Sequence, residues 1–190
     1  MRIISGLHKG RRINAPKKLP VRPTTDMAKE ALFNIISNKY NFELIKVLDL
    51  FSGTGNISYE FCSRGTKNIQ SVDIDRRCIK FIKETSNKLD MQIHTVCNDV
   101  YKHLEKSIKH FDIIFADPPY DINQDKLEEL IDLIFKNKLI NENGVCIIEH
   151  SKHRSLDNQK NFTDRKIYGG NCFSFFYKKK QICKPNSVLK

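Results

Sequence analysis

The chain has 190 residues, which suits a single domain, and its 33 basic and 22 acidic side chains give a net charge of +11. Hydrophobic residues make up 39% of the sequence, enough for a packed core, and no apolar run approaches the roughly 20 residues that span a bilayer. The amino-terminal stretch also lacks the long apolar run of a secretory signal. These features argue against a secreted, membrane-spanning or disordered chain, and we expect a cytoplasmic protein.

The cysteines and histidines show no metal-binding spacing. The six cysteines are scattered and include no C-x-x-C pair, which argues against a zinc ribbon or a thioredoxin-type site. His150 and His153 form a lone H-x-x-H with no further ligand beside it. We therefore expect reduced cysteines and no bound metal.

The excess positive charge is confined to the two ends of the chain. Residues 1–25 hold seven basic residues and no acid, and residues 165–190 hold another seven and no acid. Removing these 14 from the total of 33 leaves 19 basic residues against 22 acidic ones in the middle of the chain. Basic segments of this kind favour binding to nucleic-acid phosphates, although a lysine run is also a common solvated surface.

In chain order, the first predicted element is a small basic β-hairpin. The stretches 2–5 and 11–15 flank a loop with a glycine at each shoulder. A helix is then predicted to begin after Pro23, with Asp26 in its first turn, where the acidic charge opposes the positive helix end. Its apolar residues share one helical face: Ala28, Ala31, Leu32, Ile35 and Ile36.

From residue 46 to residue 149 the pattern alternates between strand and helix. Short β-rich runs are predicted at 46–51, 68–74, 91–96, 111–116 and 144–150. Helical segments are predicted between them at 55–64, 76–89, 98–108 and 124–137. This alternation predicts an α/β fold with a parallel sheet covered by helices on both faces. A second hairpin is predicted from 161–168 and 172–178, around a Gly-Gly-Asn turn.

A glycine loop follows the first strand of this alternation. Asp49 lies near the end of the strand, and Gly53 and Gly55 allow a tight turn before a helix that begins near Asn56. Twenty residues beyond Gly53, Asp73 ends the second strand, where an acid can accept hydrogen bonds from ribose hydroxyls. The two features together indicate a cofactor that contains adenosine, without saying which one, and the third glycine of the dinucleotide fingerprint is missing.

Asp99 follows the third strand and has two interpretations. A carboxylate at this place can accept a hydrogen bond from an adenine amino group. It can equally cap the helix that begins there. The residues alone leave both open.

The sequence D-P-P-Y follows the fourth strand and indicates a site for an amino group. Asp117 and the carbonyl of Pro118 would form two acceptors close together, because the prolines hold the backbone extended and add no competing donors. Two acceptors match the two protons of an exocyclic amine. Tyr120 would offer a face on which a nucleobase stacks, worth about 1–3 kcal/mol per base. A structural turn is the alternative, which this position at a strand end disfavours.

The motifs together resemble those of a class I S-adenosylmethionine-dependent methyltransferase that acts on an amino nitrogen. More specifically, "MRIISGLHKGRRI", "RPTTDMAKEALFNII", "VLDLFSGTG", "FADPPY" and "YGGNCFSFFYK" resemble the bacterial 16S rRNA (guanine(966)-N(2))-methyltransferase family over roughly residues 2 to 178. The resemblance implies a Rossmann-like fold with a mostly parallel seven-stranded sheet. It also implies a hairpin extension at 1–22, a methyltransferase domain at 23–178 and a basic tail at 179–190.

The resemblance further implies methyl transfer from S-adenosylmethionine to the 2-amino group of one guanine in 16S rRNA, within an assembled or assembling 30S subunit, by a monomer. Asp117, Pro118 and Tyr120 would hold the target base. The cofactor would be bound by Asp49, Phe51, Gly53, Thr54, Gly55, Asp73, Ile74, Asp99 and Val100. RNA would be contacted by Arg2, Lys9, Arg11, Arg12, Arg22, Thr24, Lys178 and Lys179, and Thr25 would border the cofactor and substrate together with Arg22 and Thr24.

Two alternative functions fit part of the sequence. One is an amino-methyltransferase on adenine in DNA or RNA, or on a protein glutamine; a DNA enzyme usually needs a target-recognition domain, for which 190 residues leave little room. The other is a non-catalytic nucleic-acid-binding module. The intact glycine loop, ribose acid and D-P-P-Y sequence argue against it.

Overall fold

The computed structural model describes residues 1–16, 19 and 24–178. Five helices are found in these residues: α1 (Asp26–Ser37), α2 (Asn56–Ser63), α3 (Arg76–Lys88), α4 (Val100–Lys106) and α5 (Gln124–Lys136). The strands are β1 (Lys46–Leu50), β2 (Asn68–Asp73), β3 (His94–Cys97), β4 (Phe111–Ala116), β5 (Ile140–Ser151), β6 (Phe162–Tyr168) and β7 (Asn171–Tyr177). The predictions for Pro23, Arg22, Lys179 and the tail at 179–190 lie outside the described residues.

The seven strands form one sheet in the order β3-β2-β1-β4-β5-β7-β6. The four pairings among β1 to β5 are parallel, and β7 runs antiparallel to both β5 and β6. The predicted α/β fold with a mostly parallel seven-stranded sheet is therefore confirmed. The strand order reverses between β1 and β4. A crevice forms at such a point, at the carboxyl ends of the strands, and α/β proteins bind their ligands there.

Apolar side chains cover both faces of the sheet. On one face, α1 and α2 pack against β1, β4, β5 and β7 through residues such as Phe33, Phe61 and Phe173. On the other face, α4 and α5 pack through a second cluster that includes Leu104 and Leu130. Successive side chains of a strand point to opposite faces of the sheet, so the nearly continuous apolar runs of the buried strands make both faces apolar.

The helix starts are set by short polar side chains at the caps. Thr25, Asp75, Asp99 and Asn123 each accept a hydrogen bond from a backbone N–H in the first turn of the helix that follows. These bonds satisfy donors that have no partner within the helix.

No helix among the residues that the structure describes is long and apolar enough to cross a membrane.

The structure differs from the predicted elements in a few places. β5 begins at Ile140, four residues before the predicted start, because Ile140 pairs with Phe111 across an irregular register. In α1 the buried face contains Lys29 and Phe33 and only part of the predicted apolar set. Within residues 1–16, the predicted hairpin is represented by a single antiparallel bridge between Arg2 and Arg12.

Candidate active site

Asp49 is a buried carboxyl group at the carboxyl end of β1. Ser58 of α2 donates a hydrogen bond of 2.5 Å to its Oδ2 atom, and the Ser58 hydroxyl also lies 2.6 Å from that of Ser71 in β2. Burial raises the pKa of Asp49 to about 7, against the opposing effect of the Ser58 bonds, and the charge of Asp73 adds to the rise. A group that is half protonated near neutral pH therefore lies at the end of the strand.

The glycine loop turns the chain from β1 into α2 through positive φ angles. These are 54° at Phe51, 51° at Gly53 and 82° at Gly55. A Cβ atom at Gly55 would lie 2.9 Å from Cγ1 of Ile82 and 3.0 Å from the Tyr59 ring. Glycine is thus required at Gly55 by both the backbone angle and the close packing of α3 and α2.

Asp73, at the end of β2, is hydrogen-bonded to the glycine loop. Its Oδ2 atom accepts a hydrogen bond of 2.7 Å from the backbone N–H of Gly53, and its Oδ1 atom accepts one of 2.8 Å from the N–H of Asp75. A carboxylate has about four acceptor positions, so two bonds leave room for hydroxyl donors. The position predicted for ribose binding is thereby joined to the glycine loop.

A cavity of about 440 Å³ opens beside these residues. Six of the predicted cofactor-binding residues line it: Asp49, Phe51, Gly53, Thr54, Asp73 and Ile74. Four of the residues predicted to meet substrate line it too: Thr24, Asp117, Pro118 and Tyr120. The structure therefore brings the predicted cofactor and target residues to one cavity.

The chemistry of the cavity wall fits a cationic adenosine compound. Among the described residues that line it there are four aspartates and no lysine or arginine. An acidic wall attracts a sulfonium or ammonium group and repels a pyrophosphate, which disfavours a dinucleotide. The buried Ser52 hydroxyl in the wall has no hydrogen-bond partner among the described residues, so a polar ligand atom would satisfy it.

Asp117 directly follows β4, and its backbone N–H lies 3.4 Å from the carbonyl oxygen of Leu50 in β1. Burial raises the pKa of the Asp117 carboxyl well above its usual range, and the charges of Glu149 and Asp49 add to the effect. Pro118 is buried, and the ring of Tyr120 is half exposed at the mouth of the cavity. The D-P-P-Y sequence thus presents a carboxyl group and an aromatic face at the same opening.

Asp99 and Val100 lie apart from the described cavity wall. Asp99 caps α4 by accepting a hydrogen bond of 3.0 Å from the backbone N–H of Lys102, and Val100 is buried in the core. The capping interpretation of Asp99 is thus what the structure displays. The predicted hydrogen bond from an adenine amino group to Asp99 stays a prediction. The second carboxylate oxygen of Asp99 is available to accept it.

The basic residues near the amino terminus lie on a segment that packs against α2. Lys9, Arg11 and Arg12 are exposed, and Arg2 pairs with Asp26 at 3.1 Å on the surface. The backbone N–H groups of Ile4 and Ser5 donate to the buried carboxylate of Glu60 in α2 at 2.8 and 3.0 Å. At the other end of the described chain, Lys178 is exposed. Arg22 and Lys179 lie outside the described residues.

Several residues of the site were missed by the sequence analysis. Glu149 near the end of β5 is buried, accepts hydrogen bonds from Thr24 and Asn171, and has a pKa that burial raises to about 7. Glu149 follows four apolar residues at a strand end. The same pattern identified Asp117 and could have identified Glu149. No signal marked Asn171.

Among the described residues, no group of side chains has the arrangement of a metal site.

Comparisons of the amino-acid sequence with known proteins find a family and several relatives. The family described as Conserved hypothetical protein 95 matches residues 1–177. The Ribosomal RNA small subunit methyltransferase D of Buchnera aphidicola is 35% identical over 150 residues, which cover 78% of this chain and 75% of that protein.

Solved structures show the same architecture. The Escherichia coli protein yhhF has a TM-score of 0.83 at 25% identity, with 95% of this chain and 99% of that chain covered. The Thermus thermophilus 16S rRNA N2 G1207 methyltransferase, solved with AdoMet and guanosine, has a TM-score of 0.68 at 17% identity and covers 85% of this chain and 45% of that chain. The fold is that of the class I methyltransferases. The chain belongs to the family described as Conserved hypothetical protein 95, which includes the small-subunit rRNA methyltransferases D, and the resemblance seen in the sequence is confirmed.

Proposed function

We propose that this protein transfers a methyl group from S-adenosylmethionine to the exocyclic 2-amino group of one guanine, of the guanine 966 type, in 16S rRNA. The observation that carries the proposal is that Asp117 and Tyr120 open onto the same acid-lined cavity as the glycine loop. The relatives that bear the name small subunit methyltransferase D support an rRNA target. The acidic, glycine-bounded cavity supports S-adenosylmethionine as the cofactor.

The cofactor would be held by residues from the ends of β1 and β2. Asp73 would accept hydrogen bonds from the ribose, and the turn at Gly53 and Gly55 would let the methionine part lie against the backbone. Asp49 and the other acids of the wall would balance the cationic groups of the ligand. When bound, S-adenosylmethionine supplies an electrophilic methyl group.

The target amine would be held by the D-P-P-Y sequence. Asp117 and the Pro118 carbonyl would accept hydrogen bonds from the two amino N–H groups, which draws the nitrogen lone pair out of conjugation with the guanine ring and directs it toward the cavity. Tyr120 stacks on the base and fixes its plane. The nitrogen would form a bond to the methyl carbon as the bond from that carbon to the sulfonium sulfur breaks, which leaves S-adenosylhomocysteine. The nitrogen would then lose one proton, which Asp117 is suited to accept because burial raises the pKa of its carboxyl group well above the usual range.

RNA binding would use the exposed basic residues at both ends of the described chain. Lys9, Arg11, Arg12 and Lys178 are exposed and could contact phosphates, and Arg2 forms an antiparallel bridge with Arg12. Arg22 and Lys179 are proposed to join them on charge alone. Because flipping a base from a duplex costs a few kcal/mol, an unpaired guanine on an assembled or assembling 30S subunit is the proposed target. We further propose that the protein acts as a monomer in the cytoplasm.

Methyl transfer from labelled S-adenosylmethionine tests the function directly. Unmethylated 30S subunits, naked 16S rRNA and duplex DNA would be offered in parallel, and the modified nucleoside would be identified after digestion. The proposal requires label in 2-methylguanosine from 30S subunits. Label in methyladenine, or in DNA alone, would retain the cofactor and amine chemistry and contradict the substrate. Absence of label from all three, with the cofactor bound, would favour a non-catalytic binding protein.

A further inference from the structure

The connection between β5 and β6 begins at the carboxyl edge of the sheet, beside the opening of the cavity. Ala116 of β4 pairs with Ile148 of β5, so the residues that follow these two strands lie at the same edge. Pro118 and Tyr120, which line the cavity, also line a narrow cleft beside it together with Arg154 of the connection. Arg154 therefore lies next to the place proposed for the target base.

The backbone of this connection is held in place where it leaves the sheet. The N–H of Lys152 donates to the carbonyl of Gly170 at 3.2 Å, and the N–H of Arg154 donates to the carbonyl of Ser151 at 3.0 Å. Leu156, two residues farther along, is buried in the core. The basic side chains thus project from an ordered backbone, which reduces the ordering that binding to them would cost.

Lys152 and Arg154 have no acidic partner among the residues that the structure describes. Asp157 is the acid of residues 152–161, and it forms an ion pair with Arg165 at 3.1 Å. The side chain of Lys152 is exposed, and that of Arg154 is partly buried. Their positive charges are therefore available to an anion that approaches the opening of the cavity.

The cavity by itself repels the backbone of a nucleic acid. Its described lining contains four aspartates and no lysine or arginine. A guanine that enters the cavity brings its own phosphates to the rim, because they are joined to the base through the ribose. Positive side chains at the rim offset the repulsion between these phosphates and the acidic lining, and they hold the nucleotide in position.

The carboxy-terminal basic residue of the described chain does not lie at this rim. β7 runs antiparallel to β5, so that Asn171 pairs with Ser151 at the carboxyl edge and Tyr177 pairs with Val145. Six residues of strand separate these two pairs, a length of about 20 Å. Lys178 follows Tyr177, and any phosphate that it binds would be far from the target base.

We propose that Lys152 and Arg154 bind the RNA phosphates that flank the target guanine. The inference rests on the proposed function, because it takes the guanine to enter the cavity at Tyr120. It adds a third phosphate-binding segment to the two ends of the chain, and this segment is the one next to the reacting base. A guanidinium group suits the role because its fork of N–H donors matches the oxygens of a phosphate.

Three variants and one control test the inference. Arg154→Gln and Lys152→Gln each remove one charge, and Arg154→Lys keeps the charge. The matched control is Lys160→Gln. Lys160 is exposed on the same connection and likewise has no acidic partner among the described residues. It lies toward the other edge of the sheet, because the carbonyl of the next residue, Asn161, accepts a hydrogen bond of 3.0 Å from the N–H of Tyr177.

The first measurement is the affinity for unmethylated 30S subunits across a salt range, with S-adenosylhomocysteine present so that no methyl transfer occurs. Arg154→Gln and Lys152→Gln should each reduce the slope of log affinity against log salt by about 0.7–0.9, which corresponds to about a fivefold to eightfold loss at 0.1 M salt. Arg154→Lys and Lys160→Gln should keep the wild-type slope. Equal slopes in Arg154→Gln and Lys160→Gln would overturn the inference. A flattened slope in Arg154→Lys would also do so, because it would indicate a structural role.

The second measurement is single-turnover methylation at saturating 30S subunits, together with the affinity for S-adenosylmethionine. Arg154→Gln should lower the rate about tenfold, because the nucleotide is less well oriented, while Lys160→Gln should not. The cofactor affinity should be unchanged in every variant, and a fall in Arg154→Gln would assign Arg154 to the cofactor site and contradict the inference. A wild-type protein that binds 30S subunits and methylates no RNA would instead contradict the proposed function, which the binding measurement does not require.

Discussion

The carboxylate of Asp49 accepts a hydrogen bond from Ser58 at 2.5 Å, at the buried end of β1 where the glycine loop begins. Burial outweighs this bond and raises the pKa of Asp49 to about 7. The pKa of Glu149 is raised to about 7 as well, and that of Asp117 is raised well above its usual range. Burial therefore favours the protonated form of these carboxyl groups, and a bound cation would favour their ionised form.

We expect S-adenosylmethionine to bind more tightly as the pH rises from about 6 to 8, by up to tenfold per unit for each proton displaced. The sign follows because a cation favours the ionised carboxylates and lowers pKa values that are raised in the free protein. Calorimetry in two buffers with different ionisation enthalpies measures the protons released. S-adenosylhomocysteine, whose sulfur is neutral, is the matched ligand and should release fewer. Equal release by both ligands would contradict the electrostatic account of the cavity.

Replacing Asp117 by alanine should lower kcat on the order of 100-fold, by removing one preorganised acceptor of the target amine. The affinity for S-adenosylmethionine should change little, because the cofactor is held from β1 and β2. Single-turnover methylation and equilibrium binding separate the two quantities. The control is Asp121→Ala, at an exposed acid four residues farther along. A near-normal kcat in Asp117→Ala would rule out the proposed amine site.

Lys29 and Glu60 form an ion pair of 3.4 Å in which both side chains are almost fully buried. The Lys29 Nζ atom also donates to the Asn56 side chain at 2.8 Å, next to the glycine loop, and to the Arg2 carbonyl at 2.7 Å. Lys29→Met should lower the free energy of unfolding by about 1–3 kcal/mol, because the buried Glu60 carboxylate loses one charged partner and keeps the other, Arg64, at 2.8 Å. It should also weaken cofactor binding, since Asn56 begins α2.

Denaturant unfolding and cofactor titration measure these two effects. Lys80→Met is the control, because Lys80 and Glu84 form an exposed pair at 3.8 Å that should contribute less than about 0.5 kcal/mol. Similar losses of stability in both variants would show that the buried pair has no special weight.

Removing the positive charges of Lys9, Arg11 and Arg12 together should weaken binding to the 30S subunit and flatten its salt dependence. Each lost phosphate contact reduces the slope of log affinity against log salt by about 0.7–0.9. The charge-matched control replaces Lys46, Lys67 and Lys109, which line a cavity near the amino ends of β1, β2 and β4. An equal change of slope in both triple variants would mean that net charge, and not the amino-terminal segment, drives binding.

Glu149→Gln should make the fold more stable at pH 8 and less sensitive to pH. In the folded wild type the carboxyl holds its proton up to about pH 7, against 4.5 for the ordinary group, so stability falls as pH rises through this window. Removing the titration restores up to about 3 kcal/mol at pH 8 and little at pH 4.5. Urea unfolding across this range measures it, with the exposed Glu142→Gln on the same strand as control.

Much of the fold could be predicted because its signals are local. The alternation of β-rich runs and helical segments predicted β1, β2, β4 and the helices between them to within a few residues. Acids after apolar runs marked Asp49, Asp73 and Asp117, and strand ends of a parallel sheet necessarily meet at one edge. The start of β5 was wrong because Ile140 pairs with Phe111 of β4, and residues 141–144 lie in the irregular stretch before Val145 pairs with Ile113, a pairing that a local pattern does not contain.

What only the tertiary structure decided are the pairings between distant residues. Thr24 and Glu149 are 125 positions apart, and Tyr120 and Asn171 are 51 apart, so neither bond leaves a periodic trace in the sequence. Burial is likewise a property of the assembled core. A lysine such as Lys29 is expected on the surface, and it is buried here because α1 packs against α2. The sequence by itself determined the sheet, the glycine loop and the acids at the strand ends, because hydrophobic period and turn chemistry act over a few residues. The raised pKa values and the hydrogen bond from Tyr120 to Asn171 come from desolvation and long-range contact, which exist only in the folded chain.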